Sequence, residues 1–335
     1  MVRGLLEIPS LEEFRHLRVL DLMACSKLED HHLENIVRLF QLRYLNLQGT
    51  RISKLPEQIG RLGCLEILDL KNACVEKLPA SIVNLRKLMH LLVNDAVKFP
   101  DGIAKMQALE TLKDVDASIQ PFDFLCGLGQ LLCGLGQLKN LRSLELDHSK
   151  RLLHEDTDVI GEDRNNSMVS SLCKLGTQNL RSLIIRNDWG GLLHEESLLL
   201  PTLQDLAICF PASVPTWVGS LRNLQRLRLD VEGLKQDDLC TLGALPSLLV
   251  LHLVGEAESN GKLRFSGEVW FRFLKIFIYD AWPKPVDMMF GAGSMPKLEK
   301  LELRLLCVVE ADCVDFGIGN LPCVSIIKFF GVGGD

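Results

Sequence analysis

The chain has 335 residues, 47% of them apolar and 24% charged, a globular balance with ample length for a core. Its formal charge of −6 argues against a nucleic-acid backbone binder, which needs clustered lysine and arginine to displace counterions. Leucine supplies 66 residues, tyrosine only 2 and tryptophan 4, a skew that calls for a search for internal repeats.

Residues 1–16 are read as an N-terminal flank: MVRGLLEIPSLEEF mixes an arginine with acidic residues and lacks the apolar core of a secretory signal. From Leu17 the pattern Leu-x-x-Leu-x-Leu begins, and the first five copies (Leu17, Leu42, Leu65, Leu88, Leu109) start 21 to 25 residues apart. Further copies start at Leu141, Leu180, Leu203, Leu224, Leu248, Leu274, Leu298 and Val324, thirteen in all, which makes 17–335 one repeat domain.

Each copy predicts a short strand whose second and third apolar residues point inward, while the residues two, four and six past the start point outward. One unit cannot bury its apolar side, so stacked units share a continuous core. After the strand, Leu55-Pro56 and Leu78-Pro79 open an amphipathic return. Proline stops a strand and suits the first position of a helical turn, so a short helix or 3₁₀ turn is expected there. The expected fold is α/β: a curved horseshoe with a parallel sheet on the concave face and short helices, 3₁₀ turns and loops on the convex face.

In the Leu109 copy, Asp114 stands where the third apolar residue belongs with Val115 beside it, which leaves the register open. The step to Leu141 is long because LCGLGQL occurs twice, at 125–131 and 132–138; seven residues are close to two helical turns, so the extra copy fits the convex side in phase. The step to Leu180 carries a polar insertion at about 147–179, and its run HEDTDVIGEDRNN reads as a solvated loop. Later copies substitute aromatics, as in Leu274-Phe277-Tyr279. The chain ends in KFFGVGGD without a polar cap, so an exposed apolar edge at Phe329 and Phe330 is expected.

Catalytic and ligand motifs are missing or isolated. No phosphate-binding G-x-x-x-x-G-K-[ST], G-x-S-x-G or H-E-x-x-H occurs, and Asp315-Phe316-Gly317 stands without the other kinase elements. His31-His32 beside Asp30 read as solvated turn residues rather than metal ligands, and Asn165-Asn166-Ser167 as an unused glycosylation triplet. The 11 cysteines contain no C-x-x-C pair and match no zinc spacing, which suits reduced thiols. No enzyme, cofactor, metal or small-molecule substrate is expected, nor, without an 18-residue apolar run, a membrane span.

The phrases LRYLNLQGTRISKLPEQIGRLGCLEILDL, VEKLPASIVNLRKL, SLCKLGTQNLRSL, VPTWVGSLRNLQRLRL and MPKLEKLEL carry a family likeness. The chain resembles, over nearly its whole length, the leucine-rich-repeat region of plant nucleotide-binding leucine-rich-repeat disease-resistance proteins, particularly those of cereals. The Leu-Pro turn, as in Leu55-Pro56, favours this intracellular family over extracellular receptors. The resemblance implies defence recognition in the cytoplasm or nucleus, with a pathogen effector, a guarded host protein or the receptor's own switch domain as partner. It also places Trp217 on the convex return, packed against the core. The family's signalling and nucleotide-binding domains have no counterpart in this sequence, so a truncated regulatory fragment without its own signalling is another reading. A leucine-rich-repeat adaptor of a ubiquitin ligase is a third; it needs an F-box-like helical segment before Leu17, for which sixteen residues are too few.

Thirteen strands at about 4.8 Å spacing span about 60 Å, enough for a standard interface of about 800 Å² per partner. Outward positions are mixed and mildly acidic in the first repeats and more basic in the later ones. The candidate partner-binding residues are Tyr44, Asp69, His90, Arg186, Arg226, Arg228, His252, Lys300 and Arg304, with Arg186, Arg226 and Arg228 as the preferred patch because arginine favours interface hot spots.

Overall fold

The computed structural model describes residues 14–120, 124, 134–147, 158–187, 198–209, 211, 213–257, 262–265, 271–281, 287–305 and 316–331. The chain divides into two compact units, Met1–Leu180 and Arg181–Asp335. Among the described residues there are thirteen repeat strands, one for each Leu-x-x-Leu-x-Leu copy, and within each unit they pair in parallel.

The first unit holds β1 (Val19–Asp21), β2 (Tyr44–Asn46), β3 (Ile67–Asp69), β4 (His90–Leu92), β5 (Thr111–Asp116) and β6 (Ser143–Asp147), paired in chain order. The inward residues Leu45, Leu47, Leu68, Leu70, Leu91, Val93, Leu144 and Leu146 are inaccessible to solvent. At about 1.5–3 kcal/mol each for burying such a side chain, this ladder is the main source of cohesion.

The open register at Asp114 resolves as a β-bulge. Pairing shifts between Leu112 and Val115, Asp114 takes φ +57°, and Val115 fills the inward place that Asp114 would have left polar. On the return, Glu57–Arg61 and Ala80–Asn84 form 3₁₀ turns as expected. Pro56 and Pro79 stand one residue earlier than the first helical position, as extended N-caps with ψ near 150°. A shorter helix, α1, spans Leu33–Ile36.

Within the second LCGLGQL copy, Leu135–Gln137 is a 3₁₀ turn with Leu135 and Leu138 buried; the first copy lies outside the described residues apart from its neighbour Phe124. The polar insertion departs from the loop expected of it. Asp158–Gln178 is a helix, α2, and its C-terminal half buries Met168, Val169, Leu172 and Leu175. Those four residues recur at helical spacing, and this stripe anchors the helix despite the polar run before it. The side chains of the Asn165-Asn166-Ser167 triplet, and residues 154–157 of the polar run, lie outside the described residues.

The second unit holds β7 (Ser182–Arg186), β8 (Asp205–Cys209), β9 (Arg226–Leu234), β10 (Val250–Ala257), β12 (Ile276–Ala281), β14 (Lys300–Leu305) and β15 (Ile326–Gly331), again paired in that order. A helix, α3 (Gln236–Gly243), follows β9. A separate parallel pair, β11 (Lys262–Phe265) with β13 (Asp287–Phe290), was not foreseen from the repeat pattern. It delivers Phe265 and Phe290 to an aromatic cluster with Phe271 and Phe277, ring centroids 5.1–6.2 Å apart. Trp217 is buried in the 3₁₀ turn Thr216–Ser220, as its place on the return implied.

Among the described glycines of positive φ, Gly255 and Gly317 leave little room for a side chain. Gly255 has φ +141°, and a Cβ there would lie 1.9 Å from the Val231 carbonyl oxygen on the adjacent strand. Gly317, from the isolated Asp-Phe-Gly tripeptide, has φ +67° and opens the 3₁₀ turn Ile318–Asn320. On β15 the inward residues Ile327 and Phe329 remain exposed, as do Ile326 and Phe330, which agrees with the apolar edge expected of this strand.

Candidate protein-interaction surface

Strand alternation places the outward residues of each unit in rows, because parallel partners share register. In the first unit the leading row runs Val19, Tyr44, Ile67, His90 and Thr111 across β1–β5. Tyr44 and Ile67 are half-buried, and His90 places Nδ1 3.0 Å from the Thr111 hydroxyl. The next row runs Asp21, Asn46, Asp69 and Leu92.

Three members of that second row turn back on their own chain. Asp21 Oδ1 accepts the Met23 amide at 3.0 Å, Asn46 Oδ1 the Gln48 amide at 2.9 Å, and Asp69 Oδ1 the Lys71 amide at 3.0 Å. These are Asx turns, which end each strand by satisfying an amide that would otherwise continue the ladder. Asp69 also faces Lys71 Nζ at 3.6 Å and is buried, so its carboxylate is engaged within the repeat.

In the second unit the same positions carry charge. The leading row is Asp205, Arg226, Val250, Ile276, Lys300 and Ile326; the next is Ala207, Arg228, His252, Ile278, Glu302 and Lys328; the third is Cys209, Asp230, Val254, Asp280, Arg304 and Phe330. Arg226 pairs with Asp205 across strands. Arg228 donates from Nε and Nη2 to the two carboxylate oxygens of Asp230, at 3.1 and 3.2 Å. Asp280 Oδ2 is shared by His252 Nε2 at 2.9 Å and Arg304 Nη1 at 3.3 Å. Glu302 meets Lys300 at 2.7 Å, Lys328 at 3.5 Å and Arg304 at 3.5 Å. Arg186 is exposed at the end of β7.

The titration properties follow from these contacts. The hydrogen bond from Lys300 is the foremost reason that the Glu302 carboxyl is held below its ordinary value, against burial and with help from Lys328. The hydrogen bond to Asp230 raises Arg228 further above its already high value, against burial. Burial, reinforced by the Asp230 charge, pushes the Cys209 thiol up to about 11, so it stays protonated at neutral pH.

The second unit thus gathers Arg226, Arg228, His252, Lys300 and Arg304 on one face, while Tyr44, Asp69 and His90 share a face of the first. The site list read from sequence omitted Asp205, Asp280 and Lys328, which occupy the same outward positions of the Leu203, Leu274 and Val324 copies. Extending the position rule to every copy would have found them. It also overlooked Asn140, Asn179 and Asn223, each just before a repeat start. Their Nδ2 groups donate to the carbonyls of Gln107, Lys139 and Pro201 at 2.7–2.8 Å and tie consecutive repeats together.

Near the start of the chain, burial alone would raise the Asp30 carboxyl, but hydrogen bonds from the Ser53 hydroxyl and the Ser53 and Lys54 amides hold it below its ordinary value. Asp30 is therefore a turn anchor, and His31 is exposed beside it. Among the described residues no group of three or more His, Cys, Asp or Glu side chains is placed to hold a metal. Among them, too, no helix is long and apolar enough to cross a membrane.

The leucine-rich repeat region family matches residues 3–332. The disease resistance protein RGA5 of Oryza sativa subsp. japonica is 33% identical over 314 residues, 90% of this chain and 27% of that protein. The rice disease resistance protein RGA4 is 43% identical over 304 residues, 88% of this chain and 28% of that protein, and Pik-2 is 25% identical over 86% and 32%. The chain spans between a quarter and a third of the length of these curated relatives. Among solved structures, a leucine-rich repeat protein of Leptospira interrogans aligns with a TM-score of 0.47 at 21% identity, covering 73% of this chain and 56% of that one. One repeat strand for each sequence copy, the buried leucine ladder and the match over residues 3–332 make this chain a member of the leucine-rich repeat region family, similar along most of its length to the corresponding part of rice disease resistance proteins.

Proposed function

We propose that the chain is the protein-recognition module of a plant intracellular immune receptor, and that the outward side of its strands is the recognition surface. On this reading the partner is a pathogen effector, a guarded host protein or the receptor's own switch domain, met in the cytoplasm or nucleus. The observation that carries it is the outward face of β9–β15, where strand register puts Arg226 and Arg228 of β9 on the same face as Lys300 and Arg304 of β14, three strand spacings away. Arginines fixed on a rigid sheet suit protein contact, because little side-chain freedom is lost on binding.

The test is hydrogen exchange on the chain with and without the amino-terminal remainder of a related disease resistance protein, then with candidate effectors. Protection along the strands, lost on outward substitutions such as Arg226→Glu with Arg228→Glu, is expected. Protection confined to the return turns, or binding indifferent to every outward substitution, overturns the reading.

A further inference from the structure

We propose that the partner of the second unit is a protein segment carrying two acidic clusters on either side of a short apolar stretch. This rests on the reading of the outward strand face as the recognition surface, and adds the chemistry of what docks there.

Among the described residues, the positions two, four and six past each repeat start on β7–β10, β12, β14 and β15 hold six cations, Arg186, Arg226, Arg228, Lys300, Arg304 and Lys328, against four carboxylates, Asp205, Asp230, Asp280 and Glu302. These positions carry two more cations than carboxylates on a chain whose formal charge is −6. Depth sharpens the imbalance. The Asp230 and Glu302 side chains are 10% and 6% exposed, whereas their partners Arg228, Arg304 and Lys328 are 48%, 43% and 50% exposed. Asp230 and Glu302 lie beneath the cations that a ligand meets, whereas Asp205 and Lys300, at 26% and 28% exposed, stand at similar depth.

Three of the four guanidiniums are also held by carboxylates of the face. Asp230 engages Arg228 through Nε and Nη2, and Asp205 engages Arg226 through Nη2. Arg304 is fixed by Asp280 and Glu302 and lies over the Phe330 ring, 5.5 Å from its centroid. The remaining N–H groups of each fork keep their directions, so an incoming carboxylate finds donors already oriented.

The cations fall into two groups. Arg226 and Arg228 stand on β9; Lys300, Arg304 and Lys328 stand on β14 and β15. Between them β10 and β12 present the half-buried apolar residues Val250, Ile276 and Ile278 beside the His252–Asp280 pair. Three strand spacings separate β9 from β14, about 14 Å, a span that four or five residues of extended chain cross. Nucleic acid fits this face poorly, because four carboxylates interleave with the cations and the net excess is too small to neutralise a run of phosphates.

The probe is a labelled peptide with two leucines between two clusters of three glutamates, alongside versions with glutamine or lysine in place of glutamate. Fluorescence anisotropy with the full chain is expected to show binding of the glutamate peptide alone, weakening at least tenfold between about 50 and 300 mM salt. Arg226→Gln with Arg228→Gln, checked for native circular dichroism, is expected to lose at least fivefold, and Lys113→Gln on the first unit to change nothing. Equal affinity for the glutamine peptide, tighter binding of a single-stranded oligonucleotide, or indifference to the arginine substitutions overturns the proposal. Hydrogen exchange separates the two levels. A protein partner that protects β9–β15 yet is not displaced by the glutamate peptide defeats the acidic-segment inference and leaves the recognition surface standing. Protection elsewhere defeats the recognition surface itself.

Discussion

In the first unit a carboxylate or amide at the second outward position folds back onto an amide two residues on, as Asp21, Asn46 and Asp69 do. In the second unit acids at the outward positions reach to arginine, lysine or histidine, most of them on a neighbouring strand: Asp205 to Arg226, Asp280 to His252 and Arg304, Glu302 to Lys328. The first arrangement is local, engaging each acid or amide within its own repeat, and leaves Val19, Tyr44, Ile67 and Leu92 among the outward residues. The second is lateral and couples strands. Two faces built on one repeat therefore differ in what they offer, a mixed surface tied within each repeat in one case and a laterally braced charged one in the other.

The comparison breaks first in the core. Gly255→Ala drives a Cβ against the Val231 carbonyl, and Phe277→Ala empties the aromatic cluster at a cost of about 3–5 kcal/mol. Hydrogen exchange should show lost protection in β9–β15 while β1–β6 keep theirs. Equal loss in both units means that they melt as one cooperative block.

A smaller effect separates the two kinds of held carboxylate. Asp30 and Glu302 both titrate below their ordinary values in the folded chain, so each contributes stability that is present at neutral pH and is lost as pH falls through the folded value. Glu302→Gln and Asp30→Asn should each flatten that acid limb of the urea midpoint against pH, by about 1 kcal/mol. Because lysines hold Glu302 and uncharged Ser53 groups are foremost in holding Asp30, about 0.5 M salt should shrink the Glu302 contribution and largely spare that of Asp30.

Smaller still is the lateral pair itself. A double-mutant cycle on Arg226→Ala and Asp205→Ala should return about 0.2–1 kcal/mol, since Arg226 is well exposed. The smallest consequence is chemical: alkylation at pH 8 should label exposed Cys74 and Cys323 well before Cys209, whose thiol is raised to about 11. Equal rates would show that the Asp230 environment is open to reagent.

Much of this was legible in advance. A period-two pattern within a period near 23 names the inward leucines, and the thirteen starts each acquired a strand. What escaped was set by neighbours rather than by periodicity. The polar run before Met168 hid α2, because a stripe of four apolar residues suffices once a core lies beneath it. The pair β11 and β13 follows from where Phe265 and Phe290 find aromatic company, which no local pattern states. At the candidate surface the cations could be named from position alone, whereas their bracing by Asp205 and Asp280 depends on which repeats lie side by side.

The bulge at Asp114 has a bearing on how the strands keep their alternation. A one-residue insertion ordinarily inverts every side chain beyond it, turning apolar residues to water. Here a single left-handed residue absorbs the slip and Val115 returns to the interior. Such a joint restores the alternation beyond it, so the inward contact of β5 with Leu146 of β6 survives one extra residue in the strand.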